Sequence, residues 1–128
     1  MMTPTTFHFN EHRLSRRLMA ESALRVAAGG DPADLLGSAE ADALACMAGA
    51  ALARVAVDLL PYSAGFDADS LTIDILLSPG ADSLLAFRLA ESAIAALLAG
   101  CESEATDLTG AAKRVLRGHA GSHRITPY

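Results

Sequence analysis

Apolar and polar positions change period several times along this chain of 128 residues. Residues 5–9 read Thr, Thr, Phe, His, Phe and favour extended backbone. Asn10 followed by Glu11 has the form of a helix N-cap with an acid in the first turn, where the helix end is positive. A first helix is predicted over 11–28, stopped by Gly29 and Gly30. Leu14, Leu18, Met19, Leu24 and Val26 give it a ragged apolar stripe, and Arg13, Arg16, Arg17 and Arg25 a basic side. Asp31 before Pro32 opens a short helical turn that Gly37 closes. Ser38 is then expected to cap a longer helix running to about residue 60, stopped by Pro61. Residues 43–57 are apolar nearly all round apart from Arg54, so this helix is expected to be central and buried. Ala45, Gly49, Ala53 and Ala56 place small residues where a neighbouring backbone can come close.

After the turn-rich stretch 62–70 the period drops to two. Leu71, Ile73, Ile75 and Leu77 share one face of a predicted strand, and Thr72 and Asp74 the other. A strand needs hydrogen-bonding partners, and the candidates are 5–9, 62–66 or a strand from another subunit. Ser78-Pro79-Gly80 and Asp82 lead into a third helix to about residue 99, with Phe87, Ala90, Ile94, Leu97 and Leu98 at helical spacing. A fourth helix is expected over 103–117, acidic at its start (Glu102, Glu104, Asp107) and basic at its end (Lys113, Arg114, Arg117). The predicted class is therefore α+β, mostly α: a four-helix core with a small β element and extended termini. In domain terms this is an N-terminal arm over 1–10, one helical domain over 11–117 with a strand near 71–77, and a tail over 118–128.

Composition narrows the class further. There are 27 Ala and 19 Leu, 52% of residues are hydrophobic, and the aromatic share is 5%. That is too apolar for a disordered chain, and the length suits one domain with its own core. The uncharged runs at 43–53 and 92–101 fall short of the about 20 apolar residues of a membrane span. The N-terminal residues lack the basic and apolar regions of a signal peptide, so a cytoplasmic protein is expected, with Cys46 and Cys101 as buried reduced thiols.

Charge is unevenly placed. The net −5 divides into +2 over 1–30, −11 over 31–107 and +4 over 108–128. Helix-dipole complementation and a solvated surface account for part of this; a second reading pairs the basic ends of one copy with the acidic body of the next. Contact of the basic tail with nucleic-acid phosphates is a third.

Residues able to carry chemistry are sparse. His8/His12 and His119/His123 have metal-ligand spacing for a helix, yet neither pair lies on a predicted one, so no metal is assigned. The nucleophile-elbow, phosphate-loop and zinc-protease motifs do not occur in the sequence. No catalytic or cofactor-binding residue is assigned, and the chain is read as not an enzyme.

The helix ending at Leu59-Leu60-Pro61, the strand 71–77 entering the next helix through Ser78-Pro79-Gly80, and the closing Ala-Ala-Lys-Arg-Val-Leu-Arg helix with its basic C-terminal segment resemble the small head–tail connector (adaptor) and neck proteins of tailed bacteriophages. The resemblance covers element order over most of the chain, and departs from it in showing one clear strand of the expected hairpin. It implies a non-enzymatic virion subunit, a homo-oligomeric ring between portal and tail whose terminal segments reach neighbouring virion proteins. The alternative class is a soluble helical regulator that binds DNA through Arg13, Arg16, Arg17 and the basic residues from Arg114 to Arg124; a small-ligand enzyme ranks below it.

Overall fold

The computed structural model describes residues 2–118. Thr3–His8 form β1, Glu11–Ala27 α1, Ser38–Ala45 α2, Ala48–Asp58 α3, Ser63–Asp67 β2, Thr72–Leu77 β3, Ser83–Leu98 α4 and Glu102–Leu116 α5, with a 3-10 turn at Pro32–Asp34. The class is α+β, with five α-helices among the described residues where four were expected. The difference lies in the segment expected as one helix from Ser38 to about residue 60, which bends at Cys46 and Met47 into α2 and α3. Its two halves pack on different partners, α2 on α1 and α3 on α4 and the sheet, and one straight rod cannot serve both. Gly37 rather than Ser38 is the N-cap, its N–H donating to Glu40 Oε2 at 3.0 Å.

β3 lies between β1 and β2 in a three-stranded antiparallel sheet. Both candidate partners within the chain pair with it: Phe7 stands opposite Ile73, and Phe66 also lies against Ile73 from the other side. Residues 3–8, expected as part of an extended arm reaching other chains, are thus a strand of the chain's own sheet. Pro4, which lacks an N–H, is tolerated because β1 is an edge. The strand period decides which sheet face is dry. Phe7, Ile73 and Ile75 point to the helices and are buried, while Thr6 and Asp74 face outward and share a 2.9 Å hydrogen bond.

The core forms between this dry face and α3, α4 and α5. Leu52, Val55 and Leu59 of α3 and its cap, Ala86, Ala90 and Ile94 of α4, and Ala112 and Leu116 of α5 meet Phe9, Ile73 and Ile75. Phe9 and Phe87 stack at 4.9 Å, and Phe7 sets its edge on Phe87 at 5.5 Å, which anchors β1 to α4. Alanine supplies much of the remaining buried surface, so α4 and α5 can approach closely. Gly49 has a related role with a different neighbour: a Cβ there would lie 3.2 Å from the carbonyl oxygen of Ala68, in the β2–β3 turn, not against another helix. α1 and α2 close the side away from the sheet around Leu18, Ala41 and Ala95, joined by a 2.6 Å hydrogen bond from Ser15 Oγ to Asp42.

Candidate interaction surface

The end of α3 and strand β2 bound a shallow groove of about 250 Å³, lined by Ala56, Val57, Leu60, Ser63, Ala64, Gly65 and Phe66. Local structure explains why it stays open. β2 is the outer strand of the sheet and has a partner on one edge only, and Val57 lies on the face of α3 turned away from the buried Leu52, Val55 and Ala56. Ser63 Oγ donates to the carbonyl of Ala56 and ties the start of β2 to α3, fixing the groove's inner corner. The register shifts between Ser63 and Gly65, so Ala64 bulges from the ladder and shortens the flat edge available for pairing.

Val57, Leu60 and Phe66 are 59%, 53% and 48% exposed, and they line one concavity instead of being scattered. Single exposed apolar side chains are ordinary, but a contiguous set marks a contact surface. Completing the burial of three half-exposed side chains contributes roughly 2–4 kcal/mol. That is less than the about 4–15 kcal/mol lost in translational and rotational freedom when two free molecules join. The groove therefore suits a repeated contact within a larger assembly or a tethered occupant, and is too small to hold a free partner alone.

The stretch of chain that carries the groove is acidic. Between Arg54 and Arg88 the chain carries Asp58, Asp67, Asp69, Asp74 and Asp82 and no Lys, Arg or His. Asp58 pairs with Arg54 at 3.4 Å, and Asp67 Oδ1 accepts the N–H of Asp69 at 3.0 Å.

Two of the basic residues singled out from the sequence are engaged by an internal acid. Arg13 Nε donates to Glu91 Oε2 at 2.7 Å, and Arg17 NH1 to Glu91 Oε1 at 3.4 Å. Arg17 also reaches Glu21 at 3.2 Å. Glu91 itself is fully buried between α1 and α4. Two of the three α1 arginines proposed for DNA contact thus neutralise an internal carboxylate. The sequence carried a signal for this: Glu91 sits three residues before Ile94 and four after Phe87, inside the apolar stripe of α4, where a lone charge demands a partner.

His8 ends β1 and His12 lies in the first turn of α1, both exposed, and among the described residues no group of three or more His, Cys, Asp or Glu side chains gathers at one point. Cys46, expected to be buried, is exposed at the bend between α2 and α3, and Cys101 is half-buried. Among the described residues no helix is long and apolar enough to cross a membrane. His119, His123, Arg124 and the tail they belong to lie outside the described residues. No protein-family model, curated protein or solved structure matches the chain.

Proposed function

We propose that this chain is a non-enzymatic structural subunit of a multi-protein assembly, a head–tail connector or neck component of a tailed-phage virion, repeated as a homo-oligomeric ring. The observation that carries the reading is the apolar groove at an open sheet edge, too small for a lone partner and suited to a contact repeated around a ring. The β2–β3 hairpin also supplies the second strand that the connector plan calls for. With residues 3–8 paired inside the subunit, the contacts between subunits fall to the groove face and to the segment 118–128. In this role the protein's work is geometric: the Ala-rich helices set subunit spacing and the sheet edge sets the angle to the next copy.

The test is the native mass of the full chain, followed by negative-stain imaging. A single multiple of the 13.2 kDa subunit with ring-shaped particles is expected. A chain that remains monomeric at millimolar concentration, and fails to bind purified phage portal or tail-completion proteins, overturns the proposal.

A further inference from the structure

Among the described residues β1 and β2 each have a partner along one edge only, and their free edges match each other. We propose that β2 of one copy pairs in parallel with β1 of the next, Phe66 opposite Phe7, so that one sheet runs on from subunit to subunit. This rests on the reading of the groove as a contact repeated between copies, and it names what the groove edge meets: the outer edge of β1.

Three observations carry the proposal. The first is the phase of the backbone groups. Phe9 N–H donates to Leu71 O at 2.8 Å, so by the alternation of an antiparallel ladder Thr3, Thr5 and Phe7 also turn their groups to β3, while Pro4, Thr6 and His8 turn theirs outward. On the other side Leu76 N–H donates to Tyr62 O at 2.8 Å, so Asp74 and Thr72 face Gly65 and Asp67, and Phe66 turns its N–H and C=O outward. β1 and β2 both run antiparallel to β3, so a copy that continues the sheet with the same face dry brings its β1 parallel to β2. In a parallel pair a residue bonds to the two residues that flank its opposite number. Phe66 set opposite Phe7 therefore donates to Thr6 O and accepts from His8 N–H, and both groups point to the open edge. Pro4, which has no N–H to give, lies past these bonds, toward the bulge at Ala64.

The second is the side-chain rows. Phe7, Ile73 and Phe66 form one row across the dry face, and the row ends in the half-exposed Phe66. At the opposite edge Phe7 packs on Phe87, which is itself only partly buried, and Leu84, one turn earlier on α4, is exposed. The pairing sets Phe66 beside this aromatic group and covers the apolar side chains of both edges at once.

The third is charge. β1 has no acid and ends in the exposed His8, whereas β2 ends in Asp67 with Asp69 in the turn beyond. The proposed register puts Asp67 next to His8, where an imidazole N–H can meet a carboxylate. A two-fold contact of β2 with β2 would instead set the aspartate-bearing edge against itself and leave β1 open.

The experiment is amide hydrogen exchange on the full chain, compared between a dilute monomer and the assembled state. The amides of Phe66 and His8 are expected to exchange at least about tenfold more slowly on assembly. As a second measurement, His8→Cys and Asp67→Cys chains, each with Cys46→Ser and Cys101→Ser, are mixed, assembled and oxidised; a disulfide between positions 8 and 67 of different chains is expected in the mixture. A multimer in which Phe66 is protected and His8 exchanges as in the monomer overturns the proposal, because β2 then pairs with something other than β1. A multimer that forms no 8–67 link overturns it as well, and both results leave the ring reading standing. A chain that stays monomeric at millimolar concentration removes the proposal and the ring reading together.

Discussion

Glu91 offers the sharpest test of how the helices are held together. Its carboxylate is fully buried, whereas the side chains of Arg13 and Arg17 remain 51% and 33% exposed. The two sides of the ion cluster are therefore unequal. Replacing both arginines by Met strands an anion in the α1–α4 seam, and breaking a buried pair in that way costs about 3–5 kcal/mol. Water entering beside the half-exposed Arg13 position places the expected loss near the low end, about 3 kcal/mol. Replacing Glu91 by Met instead leaves two cations that can turn to solvent, and fills the seam with an apolar group of similar length; a change within about 1 kcal/mol is expected. Arg13→Met alone should cost about 1.5–2 kcal/mol, because the 2.7 Å contact is the stronger of the two. The triple variant should recover most of the loss of the double arginine variant, a coupling read directly from the cycle. Urea denaturation with unchanged m-values measures each change. If Glu91→Met destabilises as much as the double arginine variant, the attraction of the ions, not the burial of one of them, holds the seam, and the reasoning fails.

Two helical glycines should respond differently to alanine. Gly110 in α5 has only the end of Arg114 near its missing Cβ, at 3.9 Å, so Gly110→Ala is expected to raise stability by about 1 kcal/mol in thermal unfolding. At Gly49 the same gain is offset by crowding against the Ala68 backbone at 3.2 Å, and a change within about 0.5 kcal/mol is expected. Gly118 has φ +86° as well as the close Pro79 oxygen, so Gly118→Ala should lower stability by at least about 2 kcal/mol, visible as a fall in the urea midpoint. Cys46 should react with a thiol reagent in the native protein well before Cys101; equal rates would contradict the exposed α2–α3 bend.

What the sequence discloses here follows how local each determinant is. The ends of α1 and α4 are set by side chains within three residues, Asn10 accepting from Arg13 N and Asp82 from Leu85 N, and both starts are legible. The alternation from Leu71 to Leu77 likewise declares β3 and its dry face. The bend at Cys46 and Met47 is not declared, because an Ala-rich run is equally helical whether it continues or turns, and only packing on two separate partners decides. Val57 shows the same limit. Its neighbours Val55 and Ala56 are buried, but Val57 falls on the outer side of α3 with Ala50 and Arg54 and is exposed. What the sequence does not show is that Val57, Leu60 and Phe66 meet in one concavity.

The central claim is that the groove face joins this chain to others, and the most direct measurement is light scattering over a concentration series for the full chain and for a Val57→Asp/Leu60→Asp variant. Both positions are exposed, so the variant should keep its fold, with stability within about 1 kcal/mol. The account expects the wild-type chain to rise to a defined multimer while the folded variant stays at the subunit mass. A folded variant that assembles at the same concentration as the wild type would contradict it.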